Sequence, residues 1–157
     1  MSTSPAWPAR LPRHLELPAT SLCANLEISA LRYPQRVALA YYGGTTTYAA
    51  LLREVDALAG FLQQRCGVRR GDRVALYMQN CPQFVVAMYA ILRADAVVVP
   101  VNTMNLAGEV AHIVRDSGSR VLLFGQELHA NVATLVGDVV DHAVATCYRD
   151  YIDPATD

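Results

Sequence analysis

The side chains able to do chemistry are spread thinly along this chain, and few stand at spacings that a reaction needs. The run Gly43-Gly44-Thr45-Thr46-Thr47 is the most suggestive, because glycines beside hydroxyls can cradle a phosphate with backbone N–H groups. No Lys follows it, and it separates two short alternating stretches, so it reads as a hairpin turn. Carboxylates stand at Asp72, Asp95, Glu109, Asp116 and Glu127, at the ends of predicted elements, and no two are placed to share a substrate. Glu109 opens a helix, where the backbone dipole favours negative charge, which assigns it to capping. His112 follows three residues later, but a single Glu-x-x-His pair has no second cluster with which to complete four metal ligands. His14, His129 and His142 have no neighbours that would make them bases or ligands. There is no Gly-x-Ser-x-Gly elbow, no Walker loop and no Gly-x-Gly-x-x-Gly. The expectation is of no catalytic residue and no metal ligand in this chain.

Two amides carry more weight. Open parallel sheets bind ligands beyond the carboxyl ends of their strands, and Gln79-Asn80 and Asn102-Thr103 each follow a predicted parallel strand. Asn80 precedes Pro82 at a helix start, so it reads as structural, its side chain capping that helix. Asn102 has no helix immediately after it; it either braces the loop 103–105 or faces a ligand, and it is the candidate cofactor-binding residue. The four cysteines, at 23, 66, 81 and 147, show no C-x-x-C spacing and read as reduced thiols in a cytoplasmic compartment. Cys81 at a helix start could have its pKa lowered by the dipole, but it reads better as a small residue at a turn.

The elements that must position these residues follow from caps and periodicity. Thr20 or Ser21 caps a helix over 22–31 that Tyr33-Pro34 ends. An antiparallel pair, 37–41 and 45–47, turns at Gly43-Gly44. Thr47 caps a helix over 48–66 with Leu51, Leu52, Val55, Leu58, Ala59 and Leu62 on one apolar stripe, and Gly67 stops it. A strand–helix rhythm then takes over: strand 73–78, a helix begun by Pro82 and running to 92, and a β-branched strand 96–101. That strand is too continuous to be an edge strand wet on one face. A helix over 106–117 turns Val110, Ile113 and Val114 inward and closes at Gly118, followed by strand 121–124, helix 128–136 and strand 143–147. The three crossovers predict an α/β subdomain: a parallel sheet with helices on both faces and a small N-terminal β-hairpin. Residues 1–19 hold four of the eight prolines and Trp7, and read as a flexible Pro-rich leader or an extended strap before a domain over 20–157.

Composition sets the outer limits. The 157 residues carry 13 Lys+Arg against 14 Asp+Glu, a net charge of -1, which removes the electrostatic footprint of a nucleic-acid binder. Hydrophobic residues at 53% exclude disorder over most of the chain. The longest unbroken apolar run, 84–92, is far short of the ~18 residues that a membrane-spanning helix needs. Residues 1–17 contain no apolar stretch of the secretory-signal kind.

The order of the motifs resembles the opening third of the AMP-forming acyl-CoA synthetases, the adenylating superfamily that includes firefly luciferase and nonribosomal adenylation domains. The likeness rests on a Tyr-x-x-Leu helix, Gly-Val-x-x-Gly-Asp-x-Val, an Asn-x-Pro helix, the strand Val-Val-Pro-Val-Asn and a Glu-led helix. Tyr48, Leu51, Gly67, Val68, Gly71, Asp72, Val74, Asn80, Pro82, Pro100, Asn102 and Glu109 supply these in order. The likeness covers residues 20–125 well and is strongest to fatty-acid–CoA ligases. Asp95 stands where relatives usually carry Gly, and a left-handed helix end there accepts Asp at some cost. The resemblance implies a parent enzyme that uses ATP, Mg and coenzyme A to make an acyl-adenylate and then a thioester. It also implies the machinery for doing so: a Ser/Thr/Gly-rich phosphate loop with Lys, an aromatic-Gly-x-Thr-Glu segment, a ribose-gripping Asp and a Lys in a mobile C-terminal domain. None of these motifs occurs here. The chain therefore reads as the N-terminal subdomain alone, excised or truncated and inactive by itself. The remaining subdomains of the parent would be its partners, and an exposed face would drive self-association. The alternative is a free-standing, non-catalytic α/β binding or interaction module.

Overall fold

The computed structural model describes residues 8, 10–12 and 14–156. Residues 1–7 of the expected leader, with Trp7, lie outside the described residues. Helix α1 (Leu22–Arg32) begins where Ser21 Oγ accepts from the Ala24 N–H at 3.3 Å. The hairpin follows as β1 (Val37–Tyr41) and β2 (Gly44–Thr47). Its two central residues are Tyr42 and Gly43, at φ 42° and 77°, one position earlier than the expected Gly43-Gly44. A two-residue turn of this hand needs positive φ at both positions, and Tyr42 accepts it. Gly44 is left to the strand for a different reason: the Tyr151 backbone carbonyl lies where its Cβ would stand.

Helix α2 (Tyr48–Gln64) starts on Thr47, whose Oγ1 accepts from the Ala50 N–H at 3.2 Å, and ends two residues before Cys66. The main sheet comprises β3 (Arg73–Tyr77), β4 (Val97–Pro100), β5 (Val121–Gly125) and β6 (His142–Thr146), all parallel, in the order β4-β3-β5-β6. Between them run α3 (Pro82–Arg93), α4 (Ala107–Ser117) and α5 (His129–Val132). Alternate residues of β3 feed two cores. Val74 and Leu76 pack with Leu62, Ile91 and Leu123 beneath α2 and α3, and Ala75 and Tyr77 pack with Val110, Val114, Leu122 and Val132 beneath α4 and α5. Each fully buried aliphatic side chain of this kind contributes about 1.5–3 kcal/mol of transfer free energy. The sheet thus has helices on both faces, as the crossovers predict.

Two expectations fail. The strand over 96–101 is an edge strand: among the described residues β4 pairs only with β3, and Val97 is 47% exposed. A continuous apolar run reports what could be covered, not how many neighbours a strand has, and Pro100, with no N–H to donate, suits an edge. The helix over 128–136 shrinks to the single turn α5 behind a 3₁₀ turn, Gln126–Leu128. Val132, Leu135 and Val140 are buried all the same, because a compact loop closed by a Val136–Val140 bridge aims them inward. Asp95 takes the left-handed conformation at φ 57°, and its carbonyl accepts from the Gly71 N–H at 2.9 Å, fixing the turn into β4.

Candidate functional site

The chain leaves β3 toward β4 on one side and leaves β5 toward β6 on the other, and α3 and α5 accordingly cover opposite faces. Adjacent strands with diverging connections open a crevice beyond their carboxyl ends, the usual ligand position in open α/β sheets. Here that crevice lies between the ends of β3 and β5, and Tyr148 enters it from the segment after β6. Its hydroxyl accepts from the Gln79 N–H at 3.0 Å and donates to Glu127 Oε1 at 2.6 Å. Gly125 ends β5 at this point, where a Cβ would collide with the Tyr148 hydroxyl and lie 2.7 Å from both Glu127 carboxylate oxygens. Burial first, and then the bond to Glu127, push the Tyr148 hydroxyl well above the usual tyrosine pKa. It is therefore a neutral, hydrogen-bonded plug at physiological pH and not an activated nucleophile. Beneath it, Tyr77 donates to the Asn105 carbonyl at 2.7 Å and accepts from Asn131 Nδ2 at 2.9 Å, tying β3 to the loop before α4.

Asn80 and Asn102 both line a 450 Å³ cleft over the ends of β3 and β4, with Gln79, Phe84 and Thr103. Asn102 Oδ1 accepts from the Met104 N–H at 2.9 Å, so the side chain braces its loop. Asn80 does not cap α3. The N-cap residue is Cys81, and no side-chain hydrogen bond caps the helix. Pro82 at the first helical position has no N–H, which removes one of the orphan donors a cap would have to satisfy. Cys81 is buried, and that burial pushes its thiol pKa up against the lowering effect of backbone N–H groups, so it is a packing residue. Glu109 caps α4 as expected, its Oε2 accepting from the Leu106 N–H at 2.9 Å. Among the described residues no group of three or more His, Cys, Asp or Glu could hold a metal, the four cysteines are free, and no helix is long and apolar enough to cross a membrane.

Sequence reasoning missed Tyr148, Gln79, Glu127 and Gly125 as a unit. The rule that drew attention to residues after β3 and β4 applies equally to β5 and β6, and would have found Glu127 and Tyr148 there.

The family described as AMP-binding enzyme matches residues 26–154. The long-chain-fatty-acid–CoA ligase of Bacillus subtilis is 33% identical over 151 residues, 93% of this chain and 26% of that protein. The ligase of the same name from Escherichia coli is 35% identical over 136 residues, 86% of this chain and 24% of that protein. Among solved structures, the inhibitor-bound N-terminal domain of FACL13 from Mycobacterium tuberculosis matches with a TM-score of 0.72 and 29% identity, covering 80% of this chain and 33% of that one. The chain thus spans about a quarter of the length of the curated relatives it matches.

Proposed function

The chain belongs to the AMP-binding enzyme family, and on that premise we propose that it is the N-terminal subdomain of an ATP-dependent, AMP-forming acyl-CoA ligase of fatty-acid metabolism, inactive alone. The observation that carries the reading is the family match over 26–154, laid on a subdomain whose ligand-side crevice is already filled. The residues gathered there do not fit a triphosphate. Tyr148 occupies the space, and the Glu127 carboxylate presents negative charge where phosphates would need donors. The Gly43 region is a hairpin turn, and all 13 basic residues are Arg, so the chain holds no Lys. ATP, Mg, coenzyme A and the acyl substrate belong on this reading to the remainder of a cytoplasmic parent, against which this subdomain packs. Asn102, bracing the loop beside the cleft, is the residue through which the subdomain would face the parent's catalytic centre. Purified chain incubated with ATP and a panel of fatty acids should release no pyrophosphate above background; release would overturn the inactive-alone reading.

Self-association is part of the same proposal. The β4 edge is unpaired on its outer side, with Val97, Met104 and Leu106 at 47%, 84% and 70% exposure close by in sequence. Light scattering over a hundredfold concentration range should show mass rising with concentration; a constant monomer mass would refute it.

A further inference from the structure

The chain after β6 is fastened to the body at two separate places. Tyr148 fills the crevice, bonded to the Gln79 N–H and to Glu127. Further on, Tyr151 donates to Glu54 of α2 and sets its carbonyl against Gly44, and the Asp153 N–H donates to the Tyr42 carbonyl in the hairpin turn at 3.2 Å. Between these anchors, Tyr148–Tyr151 is a 3₁₀ turn. The Asp150 N–H donates to the Cys147 carbonyl and the Ile152 N–H to the Arg149 carbonyl, each at 3.2 Å. Side chains three apart in a 3₁₀ turn lie one above the other, so the two tyrosines share a face and move together while those bonds hold. Gln83 Nε2 donates to the same Cys147 carbonyl at 2.6 Å, which pins the foot of the turn and makes it the pivot. Every residue from 147 to 155 is at least partly exposed. Segments with little buried surface open at lower free energy than the core that carries them.

We propose that residues 148–153 form a latch that opens and closes as one piece, so that the hairpin turn controls the crevice: whatever parts the turn from Tyr151 also withdraws Tyr148 from between β3 and β5. Opening frees the Gln79 N–H and the Glu127 carboxylate side by side and uncovers Gly125, which makes the usual ligand position of such a sheet accessible. The closed latch is thus an autoinhibitory contact with its handle on the hairpin. Coupling between two sites is reciprocal, so disturbing the crevice must in turn loosen the hairpin end. This inference does not depend on the proposed function.

Amide hydrogen exchange of the purified chain tests it from both ends. Tyr148→Phe alters only the crevice anchor, yet the Asp153 N–H at the hairpin should exchange at least about fivefold faster, the low end of ordinary coupling. Gly44→Ala alters only the hairpin anchor, where its methyl meets the Tyr151 carbonyl, and should speed the Gln79 N–H likewise. The Gly118 N–H, bonded at the end of α4 far from the latch, should keep its rate in both variants. Unchanged exchange at Asp153 in Tyr148→Phe, unchanged exchange at Gln79 in Gly44→Ala, or equal acceleration at Gly118 would each overturn the proposal. If Gly44→Ala does not fold, Tyr151→Phe, which removes only the bond to Glu54, replaces it with the same readout at Gln79.

Discussion

The two ends of the parallel strands are held by opposite chemistry. At the amino ends, Arg73 Nε donates to the Ser117 carbonyl at 2.7 Å, Arg120 grips Asp141 with two hydrogen bonds, and Arg115 meets Asp138 at 2.9 Å. These groups are largely in water: the Arg120 and Asp141 side chains are 69% and 47% exposed. At the carboxyl ends, hydroxyls and amides do the joining, through Tyr148, Tyr77, Asn131 and Gln83, in half-buried or buried positions, with one carboxylate, Glu127, accepting from Tyr148. Exposed charge pairs lose most of their worth to solvent and salt, whereas buried hydrogen bonds are expensive to leave half-made. The ligand side of this sheet is therefore the side where small changes in shape matter.

The most severe test of that contrast is Gly125→Ala. Its backbone lies at φ -71°, so the added methyl is not strained by conformation and acts only by striking Tyr148 and Glu127. Overpacking of this kind costs up to about 3 kcal/mol, so the urea midpoint should fall clearly. A loss no greater than that of Arg120→Ala would break the comparison.

Tyr148→Phe removes two hydrogen bonds and should cost less, about 1–2 kcal/mol, and it sharpens the contrast through pH. Folding raises the Tyr148 pKa above its usual 10.0. Its contribution is complete below that value and declines at higher pH, where the unfolded chain releases the proton and the folded one keeps it. Stability measured from pH 8 to pH 11 should fall more steeply in the unaltered protein than in Tyr148→Phe. Parallel curves would remove Tyr148 from the account. Tyr151, whose hydroxyl donates to Glu54, and Tyr41, Cys23, Cys66 and Cys81 also have pKa values raised by burial and contribute to the remaining slope.

The smallest effect belongs to the amino ends. Arg120→Ala should shift the melting temperature only slightly, and about 0.5 M salt should reduce the difference from the unaltered chain further. Asp141 has its pKa lowered by the bond to Arg120, so its contribution is lost as pH falls through that titration, but both groups are solvent-exposed and the loss should be small. A large, salt-resistant loss in Arg120→Ala would mean that this end is as tightly built as the other.

Local signals were legible where the physics is local. Thr20 or Ser21 and Thr47 suit helix starts by type and position, and Glu109 by the helix dipole; Ser21, Thr47 and Glu109 each accept from a backbone N–H within three residues, whereas Asn80, read in the same way, caps nothing. The apolar stripe of α2 and the strand–helix rhythm needed nothing beyond periodicity. What stayed hidden depends on distant neighbours. Gly44 is held in its strand by Tyr151 near the far end of the chain, so two adjacent glycines looked like a turn when only one is. The edge position of β4 follows from the direction of each crossover, to which hydrophobic pattern is blind. At the site, the grouping of Asn80 with Asn102 was foreseeable from strand ends. The Tyr148 plug was not sought, although it obeys the same rule.

The sheet order also sets a schedule for a chain made from its amino end. β3 comes first, β4 and β5 then land on its two free edges, and β6 lands on β5, so no strand waits for one synthesised later. Parallel pairing is slow because long connections must close before contacts reward them, and here each closure has its docking edge ready on arrival. The early hairpin has the opposite fate. Its fit to the body is completed only when Tyr151 reaches Gly44 and the Asp153 N–H reaches the Tyr42 carbonyl at 3.2 Å. Ala38 and Leu39 of β1 pack with Leu26, Leu51, Val55 and Val86 as soon as α1, α2 and α3 are made, but the turn of the hairpin is tied to the body only once residues 151–153 have emerged.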